Sequence, residues 1–353
     1  MTIETVALFV GGLLALLGGA ELLVRGASRL AGRFGIPPVV IGLTVVAFGT
    51  SAPEVAVSVG AALHQQGDLA LGNVVGSNTF NLLFILGLSA CITPLAVAHK
   101  LLRVDIPVLV LVSLAVGGLM LDGRLGRTEG VLLVAGLLGY VALQLRGARP
   151  GPAASDTTAA PPARAAVSIA LVVVGLALLV LGARWLVESS VVAARAFGVS
   201  ELVIGLTIVS AGTSLPEVAT SVVAALRGER DIAIGNVVGS NVFNLLGVLG
   251  AAAAVAPDGL PVAASVRAFD LPVMLGATIV ILPIAFTGRR IARLEGLLLL
   301  GAYVAYVVFL VLAAQQDAAL PTYQRVLLFG GLPVVVVGLA ASLWPRRAPS
   351  PGA

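Results

Sequence analysis

The chain has one cysteine, Cys91, so it can form no internal disulfide and no cysteine-based metal cluster. It has only two histidines, His64 and His99. Charge is scarce too: 11% of the 353 residues are charged, against 59% hydrophobic. A soluble domain carries roughly 25% charged residues, so most of this surface must face lipid or other apolar helices. The apolar runs are continuous and lack the alternation of a membrane barrel. Eleven of them approach the roughly 20 residues a helix needs to cross the hydrocarbon. They centre near Leu16, Phe48, Leu83, Val110, Ala135, Leu178, Val209, Leu246, Ile279, Val304 and Val336. The expected class is an all-α polytopic membrane protein. The first span has no basic segment ahead of it and no small-residue cleavage pattern behind it, and reads as a retained helix.

The 21 basic residues are scattered at helix ends, as the positive-inside rule requires and a nucleic-acid surface does not. Numbering the connections alternately puts fifteen of them on one side, including Arg25, Lys100, Arg146 and Arg227. The other side collects Arg124, Arg127, Arg195, Arg267 and Arg325, and Arg184 falls inside a span. The asymmetry predicts an N-terminus outside the cytoplasmic membrane and a C-terminus inside.

Two stretches repeat. "GLTVVAFGTSAPEVAVSV" begins at Gly42 and "GLTIVSAGTSLPEVATSV" at Gly205; "GNVVGSNTFNLLFILG" begins at Gly72 and "GNVVGSNVFNLLGVLG" at Gly235. Both pairs are offset by 163 residues, and the second differs only at Thr79/Val242, Phe84/Gly247 and Ile85/Val248. Apolar composition alone does not reproduce Gly, Asn and Ser in register. The duplication predicts a first five-helix repeat over 1–146, a Pro- and Ala-rich cytoplasmic linker over 147–164 and a second repeat over 165–313. An accessory helix and tail over 314–353 have no counterpart. Five crossings per copy force the second copy to enter from the opposite side. Inverted repeats with interrupted helices mark secondary transporters.

Each GTSxPE motif places a Glu and a Pro in an apolar run. On insertion scales a central carboxylate costs roughly 2.5–3.5 kcal/mol, so Glu54 and Glu217 need a ligand or a proton. Thr50, Ser51 and Glu54 stand three or four residues apart and can share a helix face, as can Thr213, Ser214 and Glu217. Pro53 and Pro216 loosen their turns and free carbonyls, which at membrane depth need another partner. The next helix adds Ser77 and Asn81, matched by Ser240 and Asn244, with Asn73, Asn78, Asn236 and Asn241 further polar positions beside them. Gly72 and Gly76 leave room for close helix approach. This all-oxygen inventory suits hard cations. Glu21 with Arg25, and Glu188 with Arg184, read as helix salt bridges; Asp105 and Asp270 read as helix caps.

Together GTSxPE and GNVVGSNxFN resemble the α-repeats of the cation/Ca²⁺ exchanger superfamily, close to its prokaryotic sodium/calcium exchangers, over about residues 1–313. The resemblance implies ten helices in two inverted repeats and exchange of three Na⁺ for one Ca²⁺, with no cofactor. It implies that Glu54 and Glu217, with the Thr50 and Thr213 carbonyls, hold Ca²⁺. The Ala47 and Ser210 carbonyls and the Thr50, Ser77, Thr213 and Ser240 hydroxyls would serve Na⁺. Asn81 and Asn244 would be the central polar pair, and Ser51 and Ser214 join the polar lining. Some relatives carry an aspartate at one of the two central positions; here both are Asn. The implied partners are the bilayer and the two ions, with no nucleic acid and no required protein.

Three other functions compete. Proton/Ca²⁺ antiport would use the same glutamates, but proton-coupled relatives usually place an extra Glu in the second motif. A cation channel would need a ring of ligands, usually from several subunits. An intramembrane hydrolase using Ser51 or Ser214 lacks a nearby His or Lys to activate the serine.

Overall fold

The computed structural model describes residues 2–147, 165–197, 210–327 and 329. The first repeat holds α1 (Ile3–Phe34), the half-helices α2 (Pro38–Thr50) and α3 (Ala52–Leu63), α4 (Gly67–Ile92), α5 (Leu101–Leu119) and α6 (Arg127–Gly147). The second holds α7 (Ala165–Ala196), α8 (Leu215–Leu226), α9 (Arg230–Val255), α10 (Val266–Phe286) and α11 (Arg293–Ala314); a short α12 (Leu320–Val326) follows. Among the described residues eight helices are long and apolar enough to cross a membrane, and the bent pair α2/α3 makes a ninth. The amino-terminal half of the expected seventh span and nearly all of the eleventh lie outside the described residues, as do residues 148–164 of the expected linker.

Local chemistry sets the helix limits. α1 starts on Thr2, whose hydroxyl accepts the Thr5 N–H, and stops at Gly35, whose φ of 62° suits a residue without Cβ. Pro38 then opens α2, where its missing N–H costs nothing.

Inversion is visible in two short sheets. β1 (Leu95–Ala96) follows α4, β2 (Arg124–Leu125) joins α5 to α6, β3 (Leu260–Pro261) follows α9 and β4 (Arg290–Ile291) joins α10 to α11. β1 pairs antiparallel with β4, and β2 with β3. The connection after the third span of one repeat therefore shares a side with the connection after the fourth span of the other. Equivalent connections lie on opposite sides, as an inverted duplication requires.

Helices α1 and α7 pack along their length through glycines spaced seven apart. A Cβ on Gly19 would stand 2.8 Å from the Gly175 carbonyl oxygen, and one on Gly182 would stand 2.6 Å from the Leu16 nitrogen. Small residues let backbones touch where no hydrophobic effect drives association. Gly19→Val is expected to destabilise the detergent-solubilised protein by about 1–3 kcal/mol, the usual cost of overpacking. A lowered melting temperature of the monodisperse peak checks this.

Two expectations need correction. Asp105 does not cap a helix. It is fully buried and accepts from the Tyr140 hydroxyl at 3.2 Å, the Lys100 ammonium at 3.2 Å and the Gln144 amide. A buried charge needs such partners, and they tie α5 to α6. Its counterpart Asp270 accepts the Tyr306 hydroxyl at 2.9 Å. Nor does Gly72 serve close helix approach: a Cβ there would meet open space. Its partner Gly235 does serve it, lying 3.3 Å from the Gly42 Cα as measured from an added Cβ. The salt bridges hold: Glu21 pairs with Arg25 at 2.6 Å and also with Arg227 from the end of α8, and Arg184 pairs with Glu188 at 2.8 Å.

Candidate ion-binding site

Each GTSxPE motif breaks its helix just before the proline. Ser51 has φ −80° and ψ 5°, outside helical values, and α2 and α3 diverge by 46° there. Ser214 repeats this at φ −90° and ψ 7°. Pro53 and Pro216 occupy the first turn of the following half-helix. Glu54 and Glu217 then sit in that same first turn, beside the helix N-terminus, where negative charge is favoured.

The two half-helices cross over. α3 packs against residues 244–255 of the second repeat, and α8 against residues 81–92 of the first. The glycines of GNVVG bring α9 onto α2: a Cβ on Gly239 would lie 2.7 Å from the Leu43 Cα. Side chains from both repeats therefore meet at one place.

Their hydrogen bonds run between repeats. The Ser214 hydroxyl donates to Glu54 Oε1 at 2.9 Å, and the Ser51 hydroxyl donates to Glu217 Oε1 at 3.2 Å. The grouping of each Ser with the Glu of its own motif, expected from helical spacing, is thus replaced by a crossed pairing, because Ser51 and Ser214 are the residues at which the helices break. The Thr50 hydroxyl donates to Asn236 Oδ1 at 3.2 Å and lies 3.3 Å from the Ala47 carbonyl and 3.5 Å from the Ser240 hydroxyl. The Thr213 hydroxyl donates to Asn73 Oδ1 at 3.3 Å.

The amides carry the symmetry one step further. Asn73 Nδ2 donates to the Ser58 hydroxyl at 2.9 Å and lies 3.5 Å from the Glu54 carbonyl oxygen. Asn236 Nδ2 reaches Ser221 at 3.0 Å and the Glu217 carbonyl at 3.5 Å. Ser58 and Ser221 escaped motif reasoning, although both stand in the repeated stretches at the same offset of 163. They orient the asparagines that orient the threonines.

What stays unpaired is informative. Glu54 Oε2, Glu217 Oε2, Ser77 Oγ and both amide atoms of Asn81 and of Asn244 are buried without a hydrogen-bond partner. Native interiors rarely leave such groups alone. A π-helical turn opens at Asn81 and another at Asn244, and such turns concentrate at functional positions. Among the described residues no three His, Cys, Asp or Glu side chains gather to hold a metal. The unpaired set instead combines two carboxylates with hydroxyl and amide oxygens, which fits hard cations. Ser210 opens the turn Ser210–Gly212; its side chain lies outside the described residues. The two halves are not equally enclosed: Thr50 and Asn236 are buried, whereas Thr213 and Asn73 are half-buried.

An inverted pair of helix bundles, with broken helices and a carboxylate–amide site at their crossing, defines a secondary transporter rather than an enzyme. Residues 4–146 and 167–312 match the sodium/calcium exchanger protein family, and the chain belongs to that family. It is 32% identical over 339 residues to the sodium/calcium exchanger MaX1 of Methanosarcina acetivorans, covering 85% of this chain and 96% of the relative. It is 39% identical over 313 residues to the inner membrane protein YrbG of Escherichia coli, covering 86% and 96%. Structures of the sodium-calcium exchanger NCX_Mj soaked with Na⁺ and Sr²⁺ superpose with a TM-score of 0.77 at 30% identity, covering 87% of this chain and 99% of that one.

Proposed function

We propose that the chain exchanges Ca²⁺ for Na⁺ across the cytoplasmic membrane by alternating access. Glu54 and Glu217 are the Ca²⁺ carboxylates, helped by the Thr50 and Thr213 carbonyls. Ala47, Ser210, Ser77 and Ser240, with the two threonine hydroxyls, serve Na⁺; Asn81 and Asn244 form the central polar pair, and Ser51 and Ser214 belong to the polar lining. One observation carries this reading: each glutamate keeps one oxygen on the other repeat's serine and leaves the second unpartnered. A cation bound between them would join the two repeats, so ion occupancy and repeat geometry are linked. The names of MaX1 and NCX_Mj support Na⁺ as the counter-ion over H⁺. The deciding measurement is ⁴⁵Ca²⁺ uptake into proteoliposomes under an imposed Na⁺ or H⁺ gradient. Uptake driven by H⁺ alone would replace Na⁺ by proton coupling.

The N-terminus lies outside and residues 147–164 lie in the cytoplasm, an orientation supported by the arginine asymmetry. A cysteine at Ser155, in a Cys91→Ala background, is expected to resist an impermeant thiol reagent applied to intact cells. Rapid labelling would reverse the topology. In this orientation the half-buried Thr213 and Asn73 belong to the outer half of the site and the enclosed Thr50 and Asn236 to the inner half.

A further inference from the structure

The two repeats differ at a place unrelated to the ion site. Where α4 of the first repeat meets α11 of the second, Phe80, Phe84 and Tyr303 form an aromatic cluster, with ring centroids 4.8 Å apart for Phe80–Phe84 and 5.2 Å for Phe80–Tyr303. The offset of 163 gives Phe243 and Gly247 as counterparts of the two phenylalanines, and the offset of 166 between RTEG at Arg127 and RLEG at Arg293 gives Leu137 as the counterpart of Tyr303. Two of the three rings are therefore missing on the other side. Leu137 leans over the glycine, where an added Cβ would meet its Cδ2 at 2.8 Å. Beside Leu137 and Phe243 lies a cleft of about 380 Å³, bounded also by Val45, Phe48, Val141 and Leu176.

The cleft offers nothing to water. Its hydroxyl-bearing walls are Thr44 and Tyr140, and both hydroxyls are already spent, on the Val40 carbonyl at 2.6 Å and on Asp105 at 3.2 Å. A buried water needs two to four polar partners. The rim is continuous with the lipid-facing surface, since Phe48 is 61% and Leu145 60% exposed. Arg146, next to the lining residue Leu145, stands exposed in the last turn of α6. The volume falls within the roughly 300–1,000 Å³ of small-ligand sites. We propose that this cleft is a binding site for one acyl chain of a bilayer phospholipid, with the phosphate held toward Arg146. The chain packs beside Leu137 and Phe243, where α6 meets α9, the counterpart of the α4–α11 contact that Phe80, Phe84 and Tyr303 fill. It lies against Phe48, two residues from Thr50, and against Leu176 of α7, so it wedges between the helix bearing the site and the α1–α7 pair.

The test uses the full chain in proteoliposomes containing phosphatidylglycerol with a photoactivatable diazirine on one acyl chain, followed by peptide mapping after illumination. Labelling of residues 43–48 and 137–145 is expected to exceed that of the exposed lipid-facing residues Ile169 and Val173 by about fivefold or more, as a retained chain should against bulk lipid exchanging freely. Leu137→Tyr with Gly247→Phe grafts the aromatic filling of the other repeat and should bring the labelling down to that background. Val45→Phe at the rim tests the same point where the double variant does not fold. Equal labelling of cleft and lipid-facing residues in the wild type would overturn the proposal, as would unchanged cleft labelling in a folded filled variant.

Discussion

Glu54→Gln and Glu217→Gln are each expected to abolish Na⁺-driven Ca²⁺ uptake while leaving the protein monodisperse and folded. Glutamine preserves side-chain volume, and its amide oxygen can still accept from Ser214 or Ser51 across the repeats. What it removes is one of the two negative charges that offset a dication. The crossed serine hydrogen bonds bring two fully buried carboxyls to one place, where burial and like charge both oppose ionisation, so the empty site resists carrying both charges unaided. A bound ion relieves that repulsion, and one glutamine leaves the dication half-compensated in a site with no third carboxylate among the described residues. A fall of about 100-fold in uptake corresponds to only about 2.8 kcal/mol, less than a lost charge pair in a desolvated site typically costs. ⁴⁵Ca²⁺ flux into proteoliposomes, beside a size-exclusion profile, reads both halves of the expectation. Near-normal flux in either folded variant would remove that glutamate from the site. Ser214→Ala and Ser51→Ala should be milder, because they delete a donor rather than a charge.

Exchange should also be electrogenic. Asn81 and Asn244 are neutral, so the formal charge at the centre is that of Glu54 and Glu217 alone. One Ca²⁺ brings the sum to zero and three Na⁺ bring it to +1. The Na⁺-loaded carrier then moves one extra positive charge per cycle, worth about 2.3 kcal/mol per 100 mV across the full potential. At equilibrium that changes the sustained Ca²⁺ gradient by about 50-fold per 100 mV, since tenfold is about 1.4 kcal/mol. Proteoliposomes clamped with K⁺ and valinomycin during Na⁺-driven Ca²⁺ flux supply the measurement. Voltage-independent flux would mean two Na⁺ per Ca²⁺, with both loaded states neutral. Three are expected because Ser77 and Ser240 place a buried hydroxyl in each repeat, outside the crossed glutamate–serine pairs.

The membrane class, the duplication and its inversion were legible in the sequence because each depends on local information. A span satisfies its backbone within itself, so hydropathy reveals it without knowledge of its neighbours. A constant offset of 163 residues between identical polar placements needs no structure to be seen, and an odd number of spans turns that offset into an inversion. The polar composition of the site was legible for the same reason, since a glutamate in an apolar run is conspicuous wherever it packs.

The partnerships were not legible. Spacing of three or four residues joins side chains on one helix, yet Ser51 breaks its helix and donates to Glu217, 166 positions away. The Asn73–Ser58 and Asn236–Ser221 braces likewise join different helices, so motif inspection returned the asparagines without their purpose. Asp105 at a helix start looked like a cap, and only the packing of α6 against α5 supplied the Tyr140 and Gln144 that bury it as a brace. The same holds for Phe84 and Gly247: the sequence displays the difference, but the cleft beside that contact exists only where α2, α6, α7 and α9 come together. Local chemistry chose the residues, and the crossing of two inverted bundles decided which of them meet.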